Sequence, residues 1–164
     1  MIRGENPAQY KWFQHELPVW RDRANYICNA DPGRADFPLS REQLWAKKLG
    51  DGRFEICCIP YLLFDVGLGD VITLDENGML SEVVERSGRY VFRILLTGKE
   101  ISRRTLFDDI AELGGLQEWH DADFGAIDSA NRNSAAKVAQ YLWDRSERGE
   151  LDYETGRRRP DDVL

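Results

Sequence analysis

The hydrophobic pattern of the chain changes near residue 102, and this change constrains the fold more than any other feature. Between about residues 10 and 96, apolar side chains alternate with polar ones or form short runs broken by Gly and Pro, as in β-strands. After Ser102 they recur at helical spacing, at Leu106, Ile110 and Leu113. A β-rich half followed by a half that contains helices indicates an α+β protein.

The first half is predicted to be mostly antiparallel β-structure. Glycine-rich turns at residues 49–53 and 75–78 favour hairpins. The last predicted strand of this half has apolar residues on both faces: Phe92 and Ile94 point to one side, and Val91 points to the other side together with Arg93. We therefore expect this strand to be central in its sheet and covered on both faces. The predicted strands lie at residues 10–19, 25–30, 54–59, 71–74, 80–85 and 88–96.

The segment after Pro38 is ambiguous. Ser40 and Gln43 fit a capping box, which predicts a short helix through Leu44, Trp45 and Ala46. A strand is the alternative, because an apolar run this short does not distinguish a helix from a strand.

The second half is predicted to be a ferredoxin-like layer. A helix that begins after Ser102 ends at Gly114 and Gly115. The order β-α-β-α-β, in which the first strand is residues 90–96, suits helices on one face of a sheet. We expect a single domain over residues 1–164, with a β-rich part at 10–96, an α+β part at 90–156 and a frayed tail at 157–164. The later elements are predicted at residues 117–128, 134–148 and 151–154.

The charge of the chain is concentrated in one segment. There are 29 acidic and 22 basic residues, and the net charge of −7 arises entirely between residues 105 and 128, where seven acids occur without Lys or Arg. Such a segment is either a solubilising surface or a docking face for a basic partner. We hypothesise that the protein is an immunity or antitoxin-like factor that occludes a basic protein such as a toxin. The partner-binding residues predicted on this basis are Asp108, Asp109, Glu112, Glu118, Trp119, Asp121 and Asp123.

Several other classes are disfavoured. An acidic chain is a poor nucleic-acid binder, and no apolar run is long enough to span a membrane. Cys28, Cys57 and Cys58 have no disulfide or metal spacing, so they are predicted to be buried and the protein cytoplasmic. We predict no metal, no cofactor and no enzymatic activity. His120 and the acids after it are interpreted as a solvated loop.

Three stretches resemble a bacterial family of domains of unknown function, family 4265. They are Glu-Gln-Leu-Trp-Ala-Lys-Lys-Leu-Gly-Asp-Gly-Arg-Phe-Glu-Ile at residues 42–56, Ile-Pro-Tyr at 59–61 and Gly-Leu-Gly-Asp-Val-Ile at 67–72. The likeness covers about residues 10–156 and departs from the family pattern at Cys58, where a polar residue is usual. The resemblance implies a bacterial cytoplasmic domain and no particular activity.

An alternative function is an enzyme or small-ligand-binding protein with its site between the two halves. Arg93, Tyr61 and Glu55 are its first candidate residues. A deep pocket there would favour this alternative, whereas a flat surface with an exposed Trp119 would favour partner binding. A self-associating structural subunit is a third reading.

Overall fold

The described residues form two sheets, two α-helices and one short 3-10 helix at Arg21–Arg23. The structure, a computed structural model, describes residues 9–98 and 100–157. The tail predicted to be frayed lies outside these residues from position 158 onward. The strands and helices of the described residues are β1 (Lys11–Phe13), β2 (Tyr26–Ala30), β3 (Ser40–Gly50), β4 (Arg53–Ile56), β5 (Val71–Leu74), β6 (Leu80–Glu85), β7 (Tyr90–Leu96), α1 (Arg103–Glu112), β8 (Leu116–Trp119), β9 (Phe124–Ser129), α2 (Arg132–Glu147) and β10 (Leu151–Thr155).

The first sheet is a curled one that surrounds its own core. Its strand order among the described residues is β1-β3-β4-β5-β6. Strand β2 lies outside this order and pairs with the edge of β3 that is opposite to β1 and β4. A bridge between Asn29 and Met79 brings β2 back toward the β5–β6 turn. The sheet therefore wraps around apolar side chains such as Leu44, Ile56 and Ile72.

The helix predicted after Pro38 is wrong, and the alternative of a strand is confirmed. Residues 40–50 form β3, which pairs with β1, β2 and β4. Glu42, Leu44 and Ala46 are fully buried and alternate with more exposed residues. A capping box is a local signal, and here the period of two and the pairing on both sides of the strand outweigh it.

The second sheet is ferredoxin-like, which confirms the α+β class. Its strand order is β10-β7-β9-β8, and every pair is antiparallel. The segment predicted as one strand over residues 117–128 is instead a hairpin, because residues 120–123 form a turn between β8 and β9. The order along the chain is therefore β-α-β-β-α-β.

Strand β7 is central and covered on both faces, as predicted. Phe92 and Ile94 pack with α1 and α2 in one core. Val91 faces the other way and packs against Phe13 and Tyr61 of the first half. The ferredoxin-like sheet is thus layered between its helices and the β-rich half, and the junction between the halves is a buried interface.

The helix ends follow their sequence signals. Ser102 caps α1 by accepting the backbone N–H of Thr105, as predicted, and Asn131 does the same for α2 through Ser134. Neither helix of the described residues is both long and apolar enough to cross a membrane.

Candidate functional site

A buried charged cluster lies where the two halves meet. His15, just after β1, stands between Glu42 of β3 and Glu118 of β8. Its Nε2 lies 2.7 Å from Glu42 Oε2, and its Nδ1 lies 2.7 Å from Glu118 Oε1. All three side chains are almost fully buried. Burial opposes a charge on the imidazole, but the carboxylates of Glu118 and Glu42, each 2.7 Å away, hold the pKa of His15 well above its ordinary value.

The two carboxylates also satisfy a buried stretch of backbone. Glu118 accepts the N–H of Ile59 at 2.6 Å. Glu42 accepts the N–H of Tyr61 at 2.7 Å and that of Leu62 at 2.9 Å. This stretch lies between β4 and β5 and is buried. Buried N–H groups outside a sheet need other acceptors, so the cluster connects the β4–β5 loop to both sheets.

The cluster is not arranged as a nucleophilic site. Tyr61 stacks on His15, with ring centroids 4.2 Å apart. Cys58 lies beside the same imidazole, and burial raises the pKa of its thiol. A protonated, fully buried thiol is a poor nucleophile. The geometry therefore assigns a structural role to the cluster.

A cleft of about 370 Å³ opens beside the cluster, between the two halves. Its walls come from β1, the loop before β3, strands β7 and β10, and the β8–β9 turn. Three aromatic rings converge there: Phe37 lies 5.9 Å from Phe13 and 6.2 Å from Phe124, measured between ring centroids. Apolar walls with a few polar groups are typical of small-molecule sites.

The two arginines of the cleft are neutralised by acids of the same cleft. Arg34 donates to both carboxylate oxygens of Glu154 at 2.8 Å and also pairs with Asp36. Arg93 donates to Glu154 at 2.9 Å and to the carbonyl of Leu63 at 2.7 Å. These guanidinium groups are therefore engaged within the protein and line the cleft as a closed network.

His120 separates this cleft from a second cavity of about 410 Å³, and it lines both. The second cavity is bordered by Leu17, Phe107 and Trp119. Burial lowers the pKa of His120, against an opposing effect of Asp121. At neutral pH the imidazole is uncharged.

The structure disperses the acidic segment. Glu118 is 4% exposed and belongs to the buried cluster, so it does not lie on the predicted face. Asp109 accepts a hydrogen bond from the hydroxyl of Tyr141 and lies 3.6 Å from Arg145. Asp108 pairs with Arg104 at 3.2 Å. Basic groups from other parts of the chain thus neutralise much of this charge.

The remaining predicted partner-binding residues lie at or near the surface. Glu112 is exposed at the end of α1, and Asp121 and Asp123 are exposed in the β8–β9 turn. Trp119 is half-buried, because it packs on Gly125 and Arg103 lies 4.7 Å from its ring centroid. It is not the exposed aromatic anchor that we expected. The role of these residues in partner binding stays a prediction.

Two of the three residues of the ligand-site alternative lie at the junction. Arg93 lines the cleft, and Tyr61 borders the second cavity. Glu55 lies apart from them on β4, where it pairs with Arg23 at 2.5 Å. No group of three or more His, Cys, Asp or Glu side chains in the described residues is placed to hold a metal ion.

The sequence analysis missed the buried pair His15 and Glu42. One signal was available, because Glu42 shares the alternating face of β3 with the buried Leu44 and Ala46. Read as a strand, the segment places a carboxylate in the core, and a buried carboxylate requires a partner. The identity of that partner was not accessible, since His15 and Glu118 are distant in sequence.

Comparisons with known proteins give a family and a similar fold, and none of them names an activity. A family model described as "Domain of unknown function (DUF4265)" matches residues 42–153. A solved structure titled "Novel crystal structure of a hypothetical protein from Neisseria gonorrhoeae" is similar, with a TM-score of 0.68 and 18% identity. The match covers 78% of this chain and 91% of that one. No match was found among curated proteins.

Proposed function

The chain belongs to the DUF4265 family of domains of unknown function, and we propose that it is a small-ligand-binding protein. The observation that carries the proposal is the cleft of about 370 Å³ between the two halves, with Phe13, Phe37 and Phe124 in its wall. Aromatic side chains give a planar ligand a large apolar contact area. A pocket at the junction of the two halves supports this function over partner binding.

The rigidity of the junction supports the same proposal. The cluster of His15, Glu42 and Glu118 connects β3, β8 and the β4–β5 loop behind the cleft. A site whose walls are held by buried hydrogen bonds loses little entropy on binding. Localisation in the cytoplasm is part of the proposal, and it is supported by three free, buried cysteines.

The proposal is tested by filling the cleft. Leu95 lines it and is 45% exposed, so Leu95→Trp places an indole in the cleft without entering a core. Ile27→Trp is the matched control, since Ile27 is a strand residue of the other sheet with 47% exposure. The readout is saturation-transfer NMR with a set of planar aromatic fragments.

We expect fragments that bind the wild-type protein to lose about tenfold or more in affinity to Leu95→Trp, the equivalent of about 1.4 kcal/mol. Ile27→Trp should bind them as the wild type does. Equal binding by all three proteins would contradict the proposal, because the fragments would then be held outside the cleft.

A second candidate is the acidic docking face, which would serve an immunity or antitoxin-like role toward a basic protein. It is favoured by the exposed carboxylates of Glu112 and Asp123, for which no ion pair is found in the described residues, and by Phe107, which is 42% exposed on α1. Exposed carboxylates without an ion pair suit a basic partner.

This candidate is tested on whatever protein co-purifies from the native host. Glu112→Lys with Asp123→Lys should weaken that complex at least tenfold and reduce its salt dependence. Glu82→Lys with Glu85→Lys is the control, because it reverses two exposed acids on β6. Unchanged affinity and salt dependence in the first variant would eliminate the acidic face.

A further inference from the structure

The imidazole of His120, in the cleft wall, has no hydrogen-bond partner among the described residues. The ring of His120 lies on that of Phe13, with centroids 4.4 Å apart and 28° between planes. Tyr61 and Phe124 approach it at centroid distances of 5.3 and 6.3 Å. Within residues 9–98 and 100–157, neither ring nitrogen of His120 has a side-chain or backbone partner. Rings therefore hold the imidazole in place while its nitrogens stay available.

The charged groups around His120 offer few unpaired cations that could bind an anionic ligand. The guanidinium groups of Arg34 and Arg93 are engaged by Glu154, Asp36 and a carbonyl. Lys11 is the cation at the mouth, where its ammonium lies 5.1 Å from the centroid of Phe13. A phosphate or carboxylate would therefore meet one lysine and several acids.

We propose that the cleft takes an uncharged planar heteroaromatic ring, and that His120 accepts a hydrogen bond from an N–H of that ring. This inference rests on the proposed function, which it extends by naming the class of ligand. The partly exposed Phe37 and Phe124 rings supply the stacking surface, while the buried Phe13 supports the ring of His120 from behind. His120 supplies the polar contact that distinguishes a heteroaromatic ring from a hydrocarbon.

The protonation state of His120 agrees with this geometry. The titratable groups that face it are Lys11 on β1, Asp121 in its own turn, and the buried His15 and Glu42 behind Tyr61. Burial is the largest influence and lowers the pKa of His120. A neutral imidazole has one acceptor nitrogen and one N–H donor, whereas the imidazolium has no acceptor.

The test uses indazole and 1-methylindazole as probes. Both are bicyclic and uncharged at neutral pH, but the methyl compound lacks the ring N–H. Dissociation constants are measured by chemical-shift titration for the wild type, for His120→Phe and for Leu95→Trp. His120→Phe keeps an aromatic ring against Phe13 and removes both the acceptor and the N–H donor of the imidazole. His120→Gln, which keeps an acceptor, is the second variant.

We expect the wild type to prefer indazole by about two- to tenfold, the effect of one neutral hydrogen bond. The preference should vanish in His120→Phe, and both compounds should weaken together in Leu95→Trp. The His120 inference alone is overturned if both probes bind in the cleft without a preference, or if the preference survives in His120→Phe. If neither probe binds in the cleft, the proposed function fails together with this inference.

Discussion

At the scale of single residues, similar side chains have different roles because their surroundings differ. Glu118 and Asp123 belong to the same acidic stretch, yet Glu118 is hydrogen-bonded to a buried histidine and Asp123 is exposed. Glu118 lies on the buried face of β8 and Asp123 lies in the turn after it, so a run of acids along the chain does not make a surface patch. The sequence predicts where the acidic residues lie along the chain. Their burial and their ion pairs in the folded protein decide how much negative charge is left at the surface.

The first prediction concerns the buried histidine. His15→Ala removes the imidazole that bridges Glu42 and Glu118 and leaves two buried carboxylates without a positively charged partner. We expect the free energy of unfolding to fall by about 3–5 kcal/mol. Urea denaturation measures the change. His120→Ala, at the other histidine of the chain, is the control and should cost about 1 kcal/mol or less. Similar losses in both variants would contradict the structural role of the cluster.

The second prediction concerns protonation, and the two histidines of the chain make it simple to measure. Nitrogen-detected NMR titration should show His120 changing charge below its ordinary pKa of 6.5 and His15 well above it. Because the pKa of His15 is raised by folding, its stabilising effect is complete below about pH 6.5 and is lost as the pH rises through the folded value. A His15 that titrates at or below 6.5 would contradict the assignment of an imidazolium.

At the scale of elements, the sequence predicts most helices and strands and fails where tertiary pairing decides. The limits of β5 and β6 follow directly from their turns, and the cap of α1 follows from Ser102. Strand β3 carries a helix-start signal that its pairing with three strands overrides. The β8–β9 hairpin was missed because its turn has neither Gly nor Pro. It is made instead by Asp121, which accepts the N–H groups of Asp123 and Phe124.

The third prediction follows from that turn. Asp121→Ala removes two hydrogen bonds, of 2.9 and 2.7 Å, that shape the β8–β9 hairpin. We expect a loss of about 0.5–2 kcal/mol in the free energy of unfolding. Asp123→Ala, two residues away, should change stability by less than about 0.5 kcal/mol, because an exposed side chain of this kind contributes little. Equal effects on thermal unfolding would show that Asp121 is an ordinary surface acid.

At the scale of the whole molecule, the candidate site exists only because two halves with separate cores pack together. The curled sheet and the ferredoxin-like layer each bury their own apolar cluster, and a third cluster around Phe13, Tyr61 and Val91 joins them. The sequence offers a site between the halves only as an alternative, and of its three candidate residues Arg93 and Tyr61 lie in that region whereas Glu55 lies apart. It does not reveal the aromatic wall, since Phe13, Phe37 and Phe124 are far apart in the chain.

The account is tested most directly by a crystal structure of the protein soaked with planar aromatic fragments. We predict fragment density in the cleft, stacked on Phe37 or Phe124 and beside His120. A cleft that stays empty, with fragments gathered instead at Phe107 on α1, would contradict the proposed function and favour the docking face.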